Sequence, residues 1–407
     1  MDTVALMVVL VIGLALFFDF TNGFHDTANA MATPIATGAL KPKVAVLIAA
    51  ILNLVGAFLS TEVAKTISGG LIYEDQISAT VFPAIIFAGL IGAITWNMVT
   101  WLLGLPSSSS HALFGGLIGA TIVGVGASAV NFGVVLSKIV LPALIAPVTA
   151  GIIAYSATKL AYALTRRYDS RPDGRAGFRP GQIFTSSLVA LAHGTNDAQK
   201  TMGIITLMLI SVGWQTQTEP ETWVIFACAT TIALGTYVGG WRIIRTLGKG
   251  LTDVKPAQGF SAEASTASTI LSSSVLGFAL STTQVASGSV IGSGLGRRGS
   301  TVRWRTAGRI GVGWILTLPA AGAVGALCAL MVRWLDGWGI LIDAVAAVIV
   351  IVALFLRSRV NAVTAGNAMS EVAESGAAVK VKRNPPPTRR QRAIQREQLR
   401  RAKESSK

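Results

Sequence analysis

Gly23–Ala30 reads G-F-H-D-T-A-N-A and His193–Lys200 reads H-G-T-N-D-A-Q-K, so Asp26 and Asp197 stand 171 positions apart in closely similar company. A second pair keeps the same order. G-L-P-S-S-S-S-H-A-L-F-G at Gly104–Gly115 is answered by G-F-A-L-S-T-T-Q-V-A-S-G at Gly277–Gly288, at an offset of 173. Small polar residues are common in membrane helices, and any one block could arise by chance. Two blocks that preserve order and spacing together point to one duplication, with an element of each half carrying an Asp and another carrying a run of hydroxyls.

The solvent for this duplication is lipid. The chain of 407 residues is 52% hydrophobic and 13% charged, with mean hydropathy +0.60, which is more apolar surface than one soluble core can bury. Val4–Phe20, Val44–Leu59, Phe82–Gly104, Trp223–Gly240, Ala307–Val332 and Ile340–Leu356 each approach the roughly 20 residues that cross a bilayer. The first of these lacks a basic n-region, carries Asp2 and Asp19 around it and precedes no small-residue cleavage site, so it reads as a retained helix. Cys228 and Cys328 lie inside apolar stretches and no Cys/His spacing resembles a zinc site, so neither a disulfide nor a resident metal nor any cofactor is expected.

Basic residues set the expected orientation. Lys41 and Lys43, the loop R-R-Y-D-S-R-P-D-G-R from Arg166, Trp241–Lys255 and the loop from Arg297 are expected in the cytoplasm; Tyr73-Glu74-Asp75, Gly126–Asn131 and Gln215–Glu221 are expected outside. The N-terminus then faces out, the C-terminus faces in, and the halves enter the membrane from opposite sides. The expected fold is all-α and polytopic: two inverted-topology repeats with broken helices and re-entrant hairpins, at residues 1–165 and 181–356. A basic cytoplasmic loop (166–180) joins them, and a basic tail (357–407) follows. That tail holds +9 of the net +15, is polar and almost free of aromatics, and reads as a disordered positive-inside segment, with no nucleic acid implied.

The repeated blocks also carry chemistry. Asp26, beside Gly23, His25, Thr27 and Asn29, is read as lying at a helix break within the membrane, and Asp197, with His193 and Asn196, repeats it. A carboxylate there costs about 2.5–3.5 kcal/mol unless a cation, a proton or hydrogen bonds compensate. Ser107–Ser110 and Ser281–Thr283 read as hairpin tips, where helix N-terminal N–H groups and hydroxyls make a donor-rich pocket for a tetrahedral oxyanion. No Lys or Arg is expected in that pocket, which would favour release. His25, His111 and His193 are the three histidines of the chain and all fall in these blocks, where a ring could relay protons. Glu62 and Glu263 are read with equal weight as interfacial or functional. The absence of a Walker A loop, a nucleophile elbow or a metal cluster in the sequence argues against an enzyme.

With these residues in view, the chain resembles the inorganic phosphate transporter (PiT) family of cation–phosphate symporters over nearly all of its first 356 residues. Gly23–Asn29 and Gly194–Lys200 are similar to the family's duplicated G-x-N-D-x-x-N-like block; Pro106–His111 and, less closely, Ala279–Gln284 resemble its P-V-S-T-T-H element. The resemblance implies symport of inorganic phosphate by alternating access in the cell's inner (plasma) membrane. Thr27, Ser108, Ser109, Ser110, Asn196, Ser281, Thr282 and Thr283 would contact phosphate, and His25, Asp26, Asn29 and Asp197 would couple the cation. A coupling Na+ would be held at Asp26, Asn29, Asn196 and Asp197. His25 stands where sodium-coupled members have Asn, which favours H+ over Na+. Sulfate transport by the same architecture and a passive anion channel stay open as alternatives, as does assembly into a homodimer.

Overall fold

The computed structural model describes residues 3–68, 70–73, 76–166, 177–360 and 362–368. Most of the 166–180 loop, Glu74 and Asp75, and all but the first part of the 357–407 tail lie outside them. The first half runs α1 (Thr3–Ala36), α2 (Pro42–Gly56), α3 (Glu62–Ser68), α4 (Phe82–Leu102) and α5 (Ser109–Gly124). A short α6 (Phe132–Val134) then leads through a π-helical stretch, Val135–Val140, into α7 (Leu141–Leu164). The second half runs α8 (Phe178–Ser211), α9 (Thr222–Val238), α10 (Trp241–Arg245), α11 (Pro256–Val275), α12 (Thr282–Gly296), α13 (Trp304–Leu335) and α14 (Gly337–Arg359).

Five helices among the described residues are long and apolar enough to cross a bilayer: Val4–Ala36, Phe82–Leu102, Phe132–Leu164, Trp304–Leu335 and Gly337–Arg359. The pair Thr222–Val238 and Trp241–Gly248, bent by 59° at Gly239–Gly240, makes a sixth when its two helices count as one broken span. The α6–α7 span was not among the stretches read from sequence, and α2, at 15 residues, is too short to cross alone. The helix α8 matches α1 at 34 residues but is too polar to count as a lipid-facing span. Gln182, His193, Asn196, Asp197, Gln199 and Lys200 on it are all buried, so protein rather than lipid meets its polar groups.

The repeat is visible in the packing. Side by side, α1 and α8 run antiparallel: Thr37 pairs with Gln182, His193 approaches Asp26, and Asp19 pairs with Thr201. The two halves are therefore inverted, yet they do not form separate bodies, and residues 1–368 make one compact unit. Each hairpin helix packs on a long helix of the other repeat, α5 on α13 and α12 on α7. A Cβ at Gly119 of α5 would overlap the carbonyl oxygen of Gly322 in α13, and one at Gly292 of α12 would overlap that of Gly151 in α7. The four glycines are counterparts in pairs, and small residues let helix backbones approach where dispersion, not hydrophobic exclusion, holds them together. Short antiparallel bridges, Ile72 with Val130 and Thr252 with Val302, close the two hairpins at equivalent places.

One expectation is corrected here. The helices bearing Asp26 and Asp197 are continuous, from Thr3 to Ala36 and from Phe178 to Ser211, and are not broken at the acids. Gly23 and Gly194 suggested breaks, but they serve close approach instead. A Cβ at Gly23 would meet the Ile232 carbonyl of α9, and one at Gly194 the Asn53 carbonyl of α2. The carboxylates draw their partners from side chains of their own helix and of the hairpin tips, so no backbone N–H has to be freed for them. Glu62 belongs to the periphery, where Lys65 bridges it and Glu219, each at 3.2 Å.

Candidate substrate and cation site

Pro106 and the extended backbone at Ser108 stop the chain from continuing as helix, and α5 restarts with Ser108 as its N-cap, its Oγ accepting from the His111 N–H at 3.1 Å. Ser281 caps α12 in the same way, accepting from Gln284 N–H at 3.3 Å. The capping serines thus spend their acceptor lone pairs on the helix, while Ser109, Ser110, Thr282 and Thr283 sit in the first turns of two buried helices that meet tip to tip. His111 and Gln284, counterparts across the repeat, face each other at 3.5 Å where the tips meet.

Between these tips lie the two acids. Thr282 Oγ1 is 3.3 Å from Asp26 Oδ2 and 3.0 Å from Asp197 Oδ2; Thr283 donates to Asp26 Oδ1 at 3.1 Å, and Ser109 reaches Asp26 Oδ2 at 3.4 Å. Asn29 Nδ2 donates to both Thr282 and Thr283, at 3.3 and 3.0 Å. His25 Nδ1 lies 2.7 Å from Asp26 Oδ1, and its Nε2 faces Thr100 and Ser107 at 3.3 and 3.4 Å. On the other acid, His193 Nε2 is 3.0 Å from Asp197 Oδ2, and its Nδ1 is 3.1 Å from Asn53 Oδ1. Asp26, His193 and Asp197 each offer a ligand atom, all within 4.8 Å of one another. All three are buried, a donor set of oxygens and imidazole suited to a cation.

The sequence reading missed a cation of the chain's own. Lys200 is 1% exposed, and its Nζ contacts Asp197 Oδ1, Ser110 Oγ at 2.6 Å and Leu280 O at 2.8 Å. The expectation of a pocket without fixed positive charge is therefore overturned. The signal was in the sequence: Lys200 stands at the offset that relates it to Asn29, at the end of the block that holds Asn196 and Asp197, both read as site residues.

Of the residues expected to act, His25, Asp26, Asn29, Ser109, Ser110, Asp197, Thr282 and Thr283 converge in one cluster. Ser108 and Ser281 adjoin it as caps. Thr27 and Asn196 are not brought in by their side-chain donors. Thr27 donates to Gly23 O and Thr236 O, at 2.7 and 3.2 Å, sealing the α1–α9 contact. Asn196 Nδ2 donates to Ser274 Oγ and Phe278 O, at 2.9 and 3.3 Å, which braces the second hairpin. Two residues that sequence reasoning left out help hold the cluster in place: Asn53 orients His193, and Thr100, together with Ser107, orients His25. Glu263 sits apart, fully enclosed among Thr33, Gln182 and Thr185.

Two inverted repeats, lipid-length helices and a buried polar site at their junction define a polytopic membrane transporter. The comparisons with known proteins make this specific. The model of the phosphate transporter family matches residues 22–325. A probable low-affinity inorganic phosphate transporter of Mycobacterium leprae is 54% identical over 356 residues, covering 87% of this chain and 85% of the relative. One from Bacillus subtilis is 42% identical, over 80% of this chain and 97% of its own. A solved structure titled the sodium-dependent phosphate transporter superposes with a TM-score of 0.71 at 23% identity, over 81% of this chain and 99% of that one, and shares the fold. The chain belongs to the phosphate transporter family.

Proposed function

We propose that the chain imports inorganic phosphate together with a cation, H+ in preference to Na+, by alternating access. The observation that carries this is the meeting of Ser109, Thr282 and Thr283 from two hairpin tips on the carboxylates of Asp26 and Asp197, with Ser110 joined to Asp197 through Lys200. Hydroxyls that donate to a carboxylate can turn their protons to a phosphate oxygen. An anion entering beside two carboxylates needs their charge offset first, so the cation binds before phosphate. With both acids ionised and Lys200 charged, the cluster keeps one negative charge, which a single coupling cation neutralises. The closeness of His25 to Asp26 supports a proton in that role. Nothing covalent is needed; one repeat-derived bundle would rock against the other.

The relatives' names support phosphate, and the family membership supports symport over an enzyme. Sulfate carried by the same hydroxyls and a passive anion pore are the competing readings. Proteoliposome uptake of labelled phosphate and sulfate under independently imposed H+ and Na+ gradients separates all of them. Concentrative phosphate uptake driven by one gradient is expected; uptake that only equilibrates would sink the symport reading.

We place the N-terminus outside, the loop at 166–180 and the tail at 357–407 in the cytoplasm, and the protein in the inner (plasma) membrane, on the distribution of Lys and Arg. The repeats are assigned to 1–165 and 181–356 on the matched offsets. Labelling of single cysteines from either side tests the orientation. A homodimer is the assembly we propose to test, by mass measurement in detergent.

A further inference from the structure

We infer that Lys200 is a tethered cation: its ammonium takes, in the second repeat, the place that a coupling ion takes in the first, and so sets how many ions accompany each substrate. The inference rests on the reading of Asp26 as the coupling acid and follows from comparing the two repeats contact by contact.

In the first repeat, Asn29 Nδ2 donates to Thr283 at 3.0 Å, and Thr283 donates directly to Asp26 at 3.1 Å. Shifted by the repeat offsets, Asn29 becomes Lys200, Thr283 becomes Ser110 and Asp26 becomes Asp197. The corresponding contacts differ in one respect. Ser110 makes its hydrogen bond to Leu280 O at 3.3 Å, and the Lys200 ammonium stands between Ser110 Oγ and the Asp197 carboxylate, touching both and Leu280 O. A carboxylate, a hydroxyl and a main-chain carbonyl around one positive centre is the donor set that an alkali cation prefers, since hard cations take oxygen ligands.

The consequences follow from charge. Lys200 cannot leave with the substrate, so the second repeat contributes charge compensation for the anion but no transported ion. The first repeat, with a neutral amide at position 29, is left to bind the ion that moves. The ammonium also points at Ser110, one of the hydroxyls facing the anion, so it holds that side of the pocket positive in every state of the cycle. A lysine on a helix flank usually snorkels to the interface. This one is 1% exposed with its charge fully engaged, which is the geometry of a site rather than of an anchor.

The test is Lys200→Asn, which gives the second repeat the first repeat's Asp-x-x-Asn, with Lys200→Met as the partner that removes the charge and supplies no oxygen ligand. Two readouts are taken on the full chain: the dependence of phosphate uptake on cation concentration in proteoliposomes, varying Na+ at fixed pH and H+ at fixed Na+, and thermal stability in detergent with NaCl against choline chloride. Lys200→Asn is expected to raise the Hill coefficient for one of the two cations from about 1 to about 2, and to gain a Na+-dependent rise in melting temperature that wild type lacks. Lys200→Met should gain neither. If Lys200→Asn transports nothing, the Na+-dependent stabilisation decides the question. An unchanged Hill coefficient with no such stabilisation, or the same gain in Lys200→Met, overturns the inference. A wild-type protein whose uptake ignores both gradients would instead refute the symport reading, leaving the stability comparison to report on Lys200 independently.

Discussion

Asp26 and Asp197, from opposite halves of the chain, share one hydroxyl: Thr282 Oγ1 lies 3.3 Å from an oxygen of the first and 3.0 Å from an oxygen of the second. With carboxylate oxygens within 4.8 Å of each other, two ionised acids repel by about 3 kcal/mol at an effective dielectric near 20. The two are compensated differently. Asp197 has Lys200 against it, whereas among the described residues Asp26 has His25, His193 and hydroxyls, so we assign the exchangeable positive charge to Asp26.

That asymmetry separates two substitutions. Asp26→Asn is expected to cut gradient-driven phosphate uptake by more than about tenfold, while leaving the folded protein near wild-type stability, because the Lys200 ammonium pairs with Asp197 and is not stranded by the change. Asp197→Asn strands a buried ammonium, and breaking such a pair costs about 3–5 kcal/mol. Its melting temperature should fall well below that of Asp26→Asn. Uptake assays paired with thermal unfolding in detergent check both, and equal stability of the two variants would contradict the assignment of Lys200 to Asp197.

Thr282 can be tested for the shared hydroxyl itself. Thr282→Val keeps the shape and removes the donor, leaving a charged acceptor short of a hydrogen bond at a cost of about 1–3 kcal/mol. We expect phosphate uptake to drop about tenfold or more, and Thr282→Ser to restore most of it. Equal losses in Val and Ser variants would mean that the methyl group's packing matters and the hydroxyl does not. Concentration series of uptake will show whether the loss falls on the apparent KM, as expected for a group that contacts the anion.

How legible this site was in the sequence depends on which interactions are local. Asp26 with Asp197, and Ser109 and Ser110 with Thr282 and Thr283, were readable because the duplication printed each element twice at nearly constant offset. The inverted arrangement was readable from the basic loops. The continuity of α1 through Asp26 was not, since Gly23 breaks an isolated helix as readily as it lets α9 approach, and only the Ile232 carbonyl opposite it decides between the two. Thr27 and Asn196 sit in the right blocks but on faces turned to α9 and to the second hairpin, a matter of helical phase that block membership cannot show. Lys200 was hidden for the opposite reason. Its backbone position was read correctly as the counterpart of Asn29, but the reach of its side chain to Ser110 and Leu280 depends on the second hairpin folding back across it.

The glycines where the repeats interlock make a prediction about stability. Gly119→Ala and Gly292→Ala each push a methyl group into a backbone carbonyl of the opposite repeat, and the helices must separate to accommodate it. Overpacking of this kind costs about 1–3 kcal/mol. The two positions are counterparts, so their melting temperatures should fall by similar amounts. Gly308→Ala, at a glycine with no atom in reach of the added carbon, serves as the control and should leave stability unchanged.

We propose that His25 decides what the coupling ion is. Its Nδ1 stands 2.7 Å from Asp26 Oδ1, close enough that a proton between them satisfies both, and its Nε2 is held by Thr100 and Ser107 so that the ring cannot swing away. Replacing it by Asn, the residue that sodium-coupled members of the family carry there, keeps a polar neighbour for Asp26 and removes the group that carries a proton. His25→Asn is expected to lose most of the uptake driven by an imposed proton gradient, about tenfold, and to retain or gain uptake driven by a sodium gradient. The measurement is phosphate uptake in proteoliposomes under each gradient alone, with membrane potential clamped. Undiminished proton-driven uptake in this variant would move the proton off His25, leaving Asp26 alone or His193 to carry it, and His193→Asn under the same two gradients then distinguishes those two.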